Sequence, residues 1–255
     1  MIKDEGEVRT ITLNRPERRN AMTPEMQEEL IAALEEAEAV TSCRVVVLAG
    51  AGEAFCAGLD LTHLKAMAEA SAAEHRADAE RVARLFRTLY ALEKPTIAAV
   101  HGAAVAGGTG LATLCDFTLA APEAKFGYTE VRVGFVPALV AAFLVLQIGE
   151  KRARELFLAG RVFGPAEGYR LGLVSELVTA AELDGRVREL AGSLAANSPE
   201  AMAATKRLLV QQHREWLDAA IAASLEANAS ARETADFKEG VTAFLEKRKA
   251  VWGKT

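Results

Sequence analysis

Cysteine and histidine are scarce in this chain, with three of the first and four of the second among 255 residues. Cys43, Cys56 and Cys115 have no C-x-x-C spacing and sit among apolar or small residues. That excludes a disulfide scaffold and predicts reduced core thiols in a cytoplasmic protein. No H-x-x-x-H pair or Cys/Asp cluster accompanies the histidines, so no metal site is expected, and His101 reads as a satisfied structural residue. G-x-S-x-G is missing, which removes the nucleophile elbow of an α/β-hydrolase. No apolar run reaches the about 20 residues of a membrane span. The longest, VGFVPALVAAFLVLQI at 133–148, holds a Gly and a Pro and predicts a loop followed by a buried helix. The polar, acidic start MIKDEGEVRT predicts no signal peptide. A free basic block is also lacking: the net charge is −5, and EKRARE and EKRK mix both signs, so no nucleic-acid partner is expected.

Apolar residues make up 51% of the sequence, enough for one large core, either a single α/β domain or a domain with an appendage. EVRTITL, with Ile11 and Leu13 at strand spacing, predicts a strand, and NRPERRN predicts a turn after it. Thr23 followed by Pro24 marks a helix start, and Met26, Leu30, Leu34 and Ala37 carry its apolar face. RVVVLAG, 44–50, is the continuous β-branched run of a strand covered on both faces in a parallel sheet, which completes a βαβ unit. The alternation continues with a helix through ERVARLFRTLYAL, a strand TIAAV, a short helix over GLATL and a strand DFTLAA. From about Asn197 it stops. NSPEAMAATKRLL, HREWLDAAIAASLEA and DFKEGVTAFLEKRK predict three amphipathic helices, which could pack on a partner subunit or equally on their own core.

Three stretches could carry chemistry. GAGEAFCAGLDL, 50–61, follows a strand, but Phe55 stands where a third dinucleotide-binding Gly would be needed. Its second small-residue cluster is more telling: Gly58 permits an unusual backbone angle that could turn the Leu59 N–H toward a ligand. HGAAVAGGTGLATLCD, 101–116, repeats the layout of strand, small-residue loop and helix. The helix-start N–H groups of Gly107 and Gly108 are natural anion donors, and two donors on one carbonyl oxygen make an oxyanion hole. Tight helix–sheet packing would demand the same glycines. In FGYTEVRVGFVPA, 126–138, apolar neighbours would raise the Glu130 pKa into the range of acid–base work, whereas an ion pair with Arg132 would explain both charges more simply.

LNRPERRNAM, AFCAGLDL, HGAAVAGGTGLATLCD and FGYTEVRVGFVP, in that order and spacing, resemble the crotonase (enoyl-CoA hydratase/isomerase) family, and the likeness runs through EGVTAFLEKRKAVW. The resemblance implies an α/β spiral of ββα units over 1–196 and a C-terminal helical region, 197–255, that builds a homotrimer or a dimer of trimers. It implies an acyl-CoA thioester as substrate, with no separate cofactor, its carbonyl held by the N–H groups of Leu59 and Gly107. Arg18 and Arg19 would meet the CoA phosphates and Ala21 its adenine side. Lys247 would reach a phosphate from its own or a neighbouring subunit. Ala57, Asp60, Leu61 and Gly108 complete the implied substrate-binding set. Typical hydratases of the family carry two glutamates. Glu130 matches the second, but Gly110 stands at the first, which leaves Asp78 or Glu80 as candidate replacements. One glutamate suits either a syn hydration or a 3- to 2-enoyl isomerisation, and a non-catalytic acyl-CoA binder is the third reading. TEVRVGFVPA with Gly110 is most similar to a bacterial branch resembling methylglutaconyl-CoA hydratases, which favours hydration.

Overall fold

The computed structural model describes residues 1–253, the side chain of Leu61 excepted. Its order begins β1 (Ile2–Glu5), β2 (Val8–Leu13), α1 (Pro24–Ala39), β3 (Val45–Gly50), β4 (Ala54–Cys56), α2 (Leu61–Met67) and α3 (Ala72–Ala91). It continues β5 (Thr96–Val100), β6 (Ala103–Val105), α4 (Gly107–Leu114), β7 (Phe117–Ala120), β8 (Lys125–Gly127), α5 (Ala138–Ile148) and α6 (Glu150–Ala159). It ends β9 (Val162–Phe163), α7 (Pro165–Leu171), β10 (Glu176–Leu177), α8 (Leu183–Ala195), α9 (Pro199–Arg232) and α10 (Ala235–Leu245). The strands form a six-stranded sheet, β1-β2-β3-β5-β7-β10, and a four-stranded sheet, β4-β6-β8-β9. The pairs β3/β4, β5/β6 and β7/β8 each place one strand in each sheet before the chain turns into helix, which is the spiral of ββα units.

Local chemistry explains most of these elements. The Thr23 hydroxyl accepts the Met26 N–H at 3.3 Å, Pro24 opens α1, and Met26, Leu30, Leu34 and Ala37 are buried along one face. β2 and β3 pair in parallel across α1, as the βαβ reading expects. β3 is covered on both faces: Val46 and Leu48 join the main core, and Val45 and Val47 pack with Val187 and Ala191 of α8. The sequence around 133–148 folds as expected, with a short 3₁₀ turn (Glu130–Val133) ahead of the buried helix α5.

Two expectations change. β4, β6 and β8 are only three residues each, too short for any alternation to register, so the second strand of every unit reads as loop in the sequence. Among the described residues the C-terminal region holds two helices where three were expected. α9 runs unbroken for 34 residues, because nothing between Leu209 and His213 is Gly or Pro. It lies along α3 and α5 of its own chain, and Leu217 and Ile221 enter the main core.

Candidate active site

Two adjacent loops present backbone N–H groups to one cavity of ≈ 620 Å³. The residues 19–22 run beside 57–60: Ala57 N–H donates to the Arg19 carbonyl at 3.0 Å, Met22 N–H to Gly58 at 2.7 Å and Asp60 N–H to Met22 at 2.9 Å. This ladder passes over Leu59, whose N–H meets no acceptor among the described residues. Gly58, at φ +91°, makes the turn. A Cβ there would lie 3.1 Å from the Val105 carbonyl oxygen and 3.2 Å from Ala106 Cβ, so the second loop touches the first at this point. Ala106 also has positive φ, +52° with ψ −124°, and the next residue, Gly107, opens α4 with an N–H that has no acceptor among the described residues. Leu59 and Gly107 both line the cavity.

The two roles considered for the glycine pair divide between them. A Cβ on Gly108 would fall 2.1 Å from the Cys56 carbonyl oxygen, so Gly108 lets α4 sit against β4 and does not line the cavity. Gly107 is limited only by Met22 Cε at 3.0 Å and offers the free N–H.

Glu130 begins the 3₁₀ turn after β8 and lines the same cavity. α10 clamps this turn from outside: a Cβ on Gly240 would meet Val133 backbone at 2.3 Å. The Glu130 Oε2 is buried with no partner, and loss of hydration pushes the carboxyl up to about 7, opposed only by a hydrogen bond from its own N–H. The ion pair with Arg132 that proximity suggests is not seen among the described residues, where Glu130 Oε2 has no partner and Arg132 is exposed. Where a first glutamate was in question, a Cβ on Gly110 would already lie 3.0 Å from Phe86 Cζ and 3.3 Å from Val140 Cγ2. Apolar side chains fill that place.

Asp78 and Glu80 are both committed elsewhere. Glu80 is exposed and paired with Arg76 at 2.8 Å. Asp78, 2% exposed, contacts His63 at 2.8 Å, Arg232 at 2.6 Å and Arg81. Burial alone would raise its carboxyl, but His63 and Arg232 hold it well below the usual carboxylate range. Asp60 accepts the N–H groups of Thr62 and His63, capping α2, and pairs with Arg15 at 3.1 Å. Burial opposes its ionisation, yet the Thr62 N–H and Arg15 lower its pKa. Arg15 also donates to the Ala21 carbonyl at 2.6 Å, which ties the 19–22 segment to the 57–60 segment.

Arg18 and Arg19 are exposed at the cavity rim with no acidic partner among the described residues, and Ala21 and Ala57 line it. The Leu61 side chain lies outside the described residues. Lys247 follows α10 and does not line the cavity, although Phe244 one turn earlier does. His101 is satisfied by the Gly52 carbonyl at 2.8 Å, and all three cysteines are free and buried. Sequence reasoning missed Met22, Phe86, Phe135, Asn228 and Arg232, which also line the cavity. Their spacing signals helix faces or core and nothing more. No cluster of metal-ligating side chains occurs among the described residues, and no helix among them is long and apolar enough to cross a membrane.

Two backbone N–H groups without an acceptor among the described residues and one desolvated carboxyl thus belong to residues that line a single cavity in a two-sheet spiral. The family model described as enoyl-CoA hydratase/isomerase matches residues 3–255, and the chain belongs to that family. A relative from Thermus thermophilus is 44% identical over 96% of this chain and 97% of its own. The short-chain-enoyl-CoA hydratase of Clostridium acetobutylicum is 34% identical, covering 98% of this chain and 95% of its own. Among solved structures, an enoyl-CoA hydratase from Mycobacterium avium subsp. paratuberculosis superposes with a TM-score of 0.89 at 26% identity, covering 100% of this chain and 98% of that one.

Proposed function

We propose that this chain is an enoyl-CoA hydratase, adding water reversibly across the 2,3 double bond of an acyl-CoA thioester. One observation carries the reading: two partnerless N–H groups and one partnerless carboxyl poised near neutrality share a cavity. The thioester oxygen sits between the Leu59 and Gly107 N–H groups, which stabilise the enolate as charge moves onto it, each by about 2.7–4 kcal/mol. Water adds its oxygen to C3. Glu130 gives the proton of one carboxyl oxygen to C2 while its other oxygen takes a proton from the water, so the carboxyl ends as it began. A pKa near 7 suits a group that both gives and takes a proton.

Around this centre, Arg18 and Arg19 meet the CoA phosphates, Ala21 borders the adenine, and Lys247 supplies a further phosphate contact. Ala57, Asp60, Leu61 and Gly108 shape or support the thioester-binding loop. Residues 1–196 form most of the acyl-CoA-binding core, and Asn228, Arg232 and Phe244 of the C-terminal helices complete its cavity. Residues 197–255 build a homotrimer or a dimer of trimers, a role supported by the exposed apolar side chains of Leu208, Leu209 and Trp216 on α9. The free buried thiols suit a cytoplasmic setting.

The lack of an acid at Gly110, where Phe86 and Val140 fill the place, favours one competing reading: isomerisation of 3-enoyl to 2-enoyl-CoA by a single proton shuttle. Incubation with crotonyl-CoA decides. Hydration consumes the enoyl absorbance. An enzyme that leaves crotonyl-CoA untouched but creates that absorbance from a 3-enoyl-CoA is an isomerase. Binding without either change marks a non-catalytic member of the fold.

A further inference from the structure

Three helices run past the active-site cavity to a second cavity of ≈ 310 Å³. On α3, Val82 and Phe86 line the first cavity and Tyr90 the second. On α4, Gly107 lines the first and Thr113 the second. On α5, Val140 lines the first and Gln147 the second. Each helix thus passes from one cavity to the other in the same chain direction, and no described residue lines both. The layer between them is thin: Phe86 and Tyr90 are four residues apart, about 6 Å along a helix axis.

Aromatic rings fill that layer. Phe143 of α5 lies edge-on to Phe86, with centroids 6.3 Å apart and planes at 86°, and its ring is 5.2 Å from that of Tyr90. Phe86 and Phe143 are each 1% exposed. Gly110 is what admits Phe86 to this place, because a Cβ at 110 would lie 3.0 Å from Phe86 Cζ and 3.3 Å from Val140 Cγ2, closer than carbons pack at ease. On the far side, Gln147 Nε2 donates to the Thr113 carbonyl at 2.6 Å and ties α5 to α4 behind the rings. Rings packed edge to face in a dense interior give way only at a cost.

We propose that Phe86, Phe143 and Tyr90 form a partition that ends the acyl pocket and restricts the chain to thioesters of short acyl groups, with Phe86 and Gly110 as the specificity-determining pair. The inference rests on the cavity being an acyl-CoA site, and the two can fail separately. A short acyl chain stops against the Phe86 ring. A long one must displace packed rings or leave its last methylenes in water, so it gains nothing from its length, whereas each methylene given apolar cover would tighten binding about fourfold.

Titration of the full chain with unreactive saturated thioesters, butyryl-, hexanoyl- and decanoyl-CoA, reads binding apart from turnover. The wild type is expected to bind decanoyl-CoA no tighter than butyryl-CoA. Phe86→Ala removes the ring and should raise the decanoyl-to-butyryl affinity ratio about tenfold or more. Gly110→Ala acts on the same contact from the other side. With Phe143 behind it, the Phe86 ring yields toward the cavity, and the hexanoyl-to-butyryl ratio should fall about threefold or more. A loss of packing alone would weaken all three probes together and leave both ratios in place. Should Phe86→Ala fail to fold, Phe86→Leu removes less volume and should move its ratio the same way, by about threefold. A wild type that binds decanoyl-CoA tighter than butyryl-CoA overturns the partition, and so does either ratio that fails to move in the stated direction in a folded variant. If none of the three probes binds the wild type, the acyl-CoA reading falls and the partition's role falls with it.

Discussion

Glu130 and Asp78 are both withdrawn from water, and the protein drives them in opposite directions. Glu130 has an oxygen buried with no partner and is pushed up to about 7 by lost hydration. Asp78 is more completely buried, yet its contacts with His63 and Arg232 keep it ionised. Burial alone therefore does not decide what a carboxyl can do; its neighbours do. The unpaired group can exchange a proton near neutral pH, while the paired group is a fixed charge that anchors α2, α3 and α9 together.

Removing the unpaired group has the largest expected effect. Glu130→Gln keeps the shape and deletes the transferable proton, so turnover of an enoyl-CoA should fall by several decades, about 4 to 5 kcal/mol of barrier at about 1.36 per decade. The same change should stabilise the fold at alkaline pH. In the unfolded chain this carboxyl ionises near its ordinary value of 4.5, and in the folded chain only near about 7. Between those values folding takes up a proton, so the wild type loses stability as pH rises through that window and stays at its lower level above it. Thermal unfolding at pH 8 should find the glutamine variant more stable, and the advantage should vanish below pH 4.5. Near-normal turnover, or a variant less stable at pH 8, removes Glu130 from its role.

Asp78→Asn tests the other side and should leave the buried Arg232 guanidinium without its counter-ion, costing about 3 kcal/mol of stability in denaturant titration. Here the sign is reversed. A carboxyl held below its ordinary value of 3.8 stabilises the fold above that value and ceases to do so as pH falls through its folded value. The gap between wild type and variant should therefore be full at neutral pH and close under strong acid. A neutral outcome at pH 7 means that the cluster is not what holds α9 to α3.

The contrast also marks what the sequence could and could not show. Glu130 was legible because it stands in a run of apolar residues within one short segment, and Leu59 and Gly107 because Gly58 and the helix-start glycines announce unusual backbone. RVVVLAG and the Thr23–Pro24 helix start were equally plain, since each depends on neighbours in the chain. The Asp78 cluster was not: Asp78 stood out only as a candidate second acid, and its partners come from positions 63, 81 and 232, where on helices rich in charge each reads as an ordinary solvated residue. Asn228 and Arg232 were hidden for the same reason. Three-residue strands such as Ala103–Val105 are fixed by sheet pairing to β4 and β8, which no local pattern encodes.

The smallest effect comes from the part of the site that carries no charge. Ala106, at φ +52° and ψ −124°, occupies backbone space that an L side chain rarely enters, and it does so immediately before the Gly107 N–H. Its Cβ is also the atom that packs where the loop of Gly58 passes closest. Glycine at 106 would adopt the same angles without strain but would add freedom to the unfolded chain. The relief should win by about 1 kcal/mol, since strain of this kind costs about 1–3 kcal/mol and the entropy of an added Gly about 0.5–1. Ala106→Gly is thus expected to raise the unfolding temperature by about 3 °C, equally at pH 5 and pH 8, because no proton is involved. That flat pH response separates it from both carboxyl variants. A fall in unfolding temperature would mean that the alanine methyl, wedged between the two loops, contributes more through packing than its backbone loses through strain.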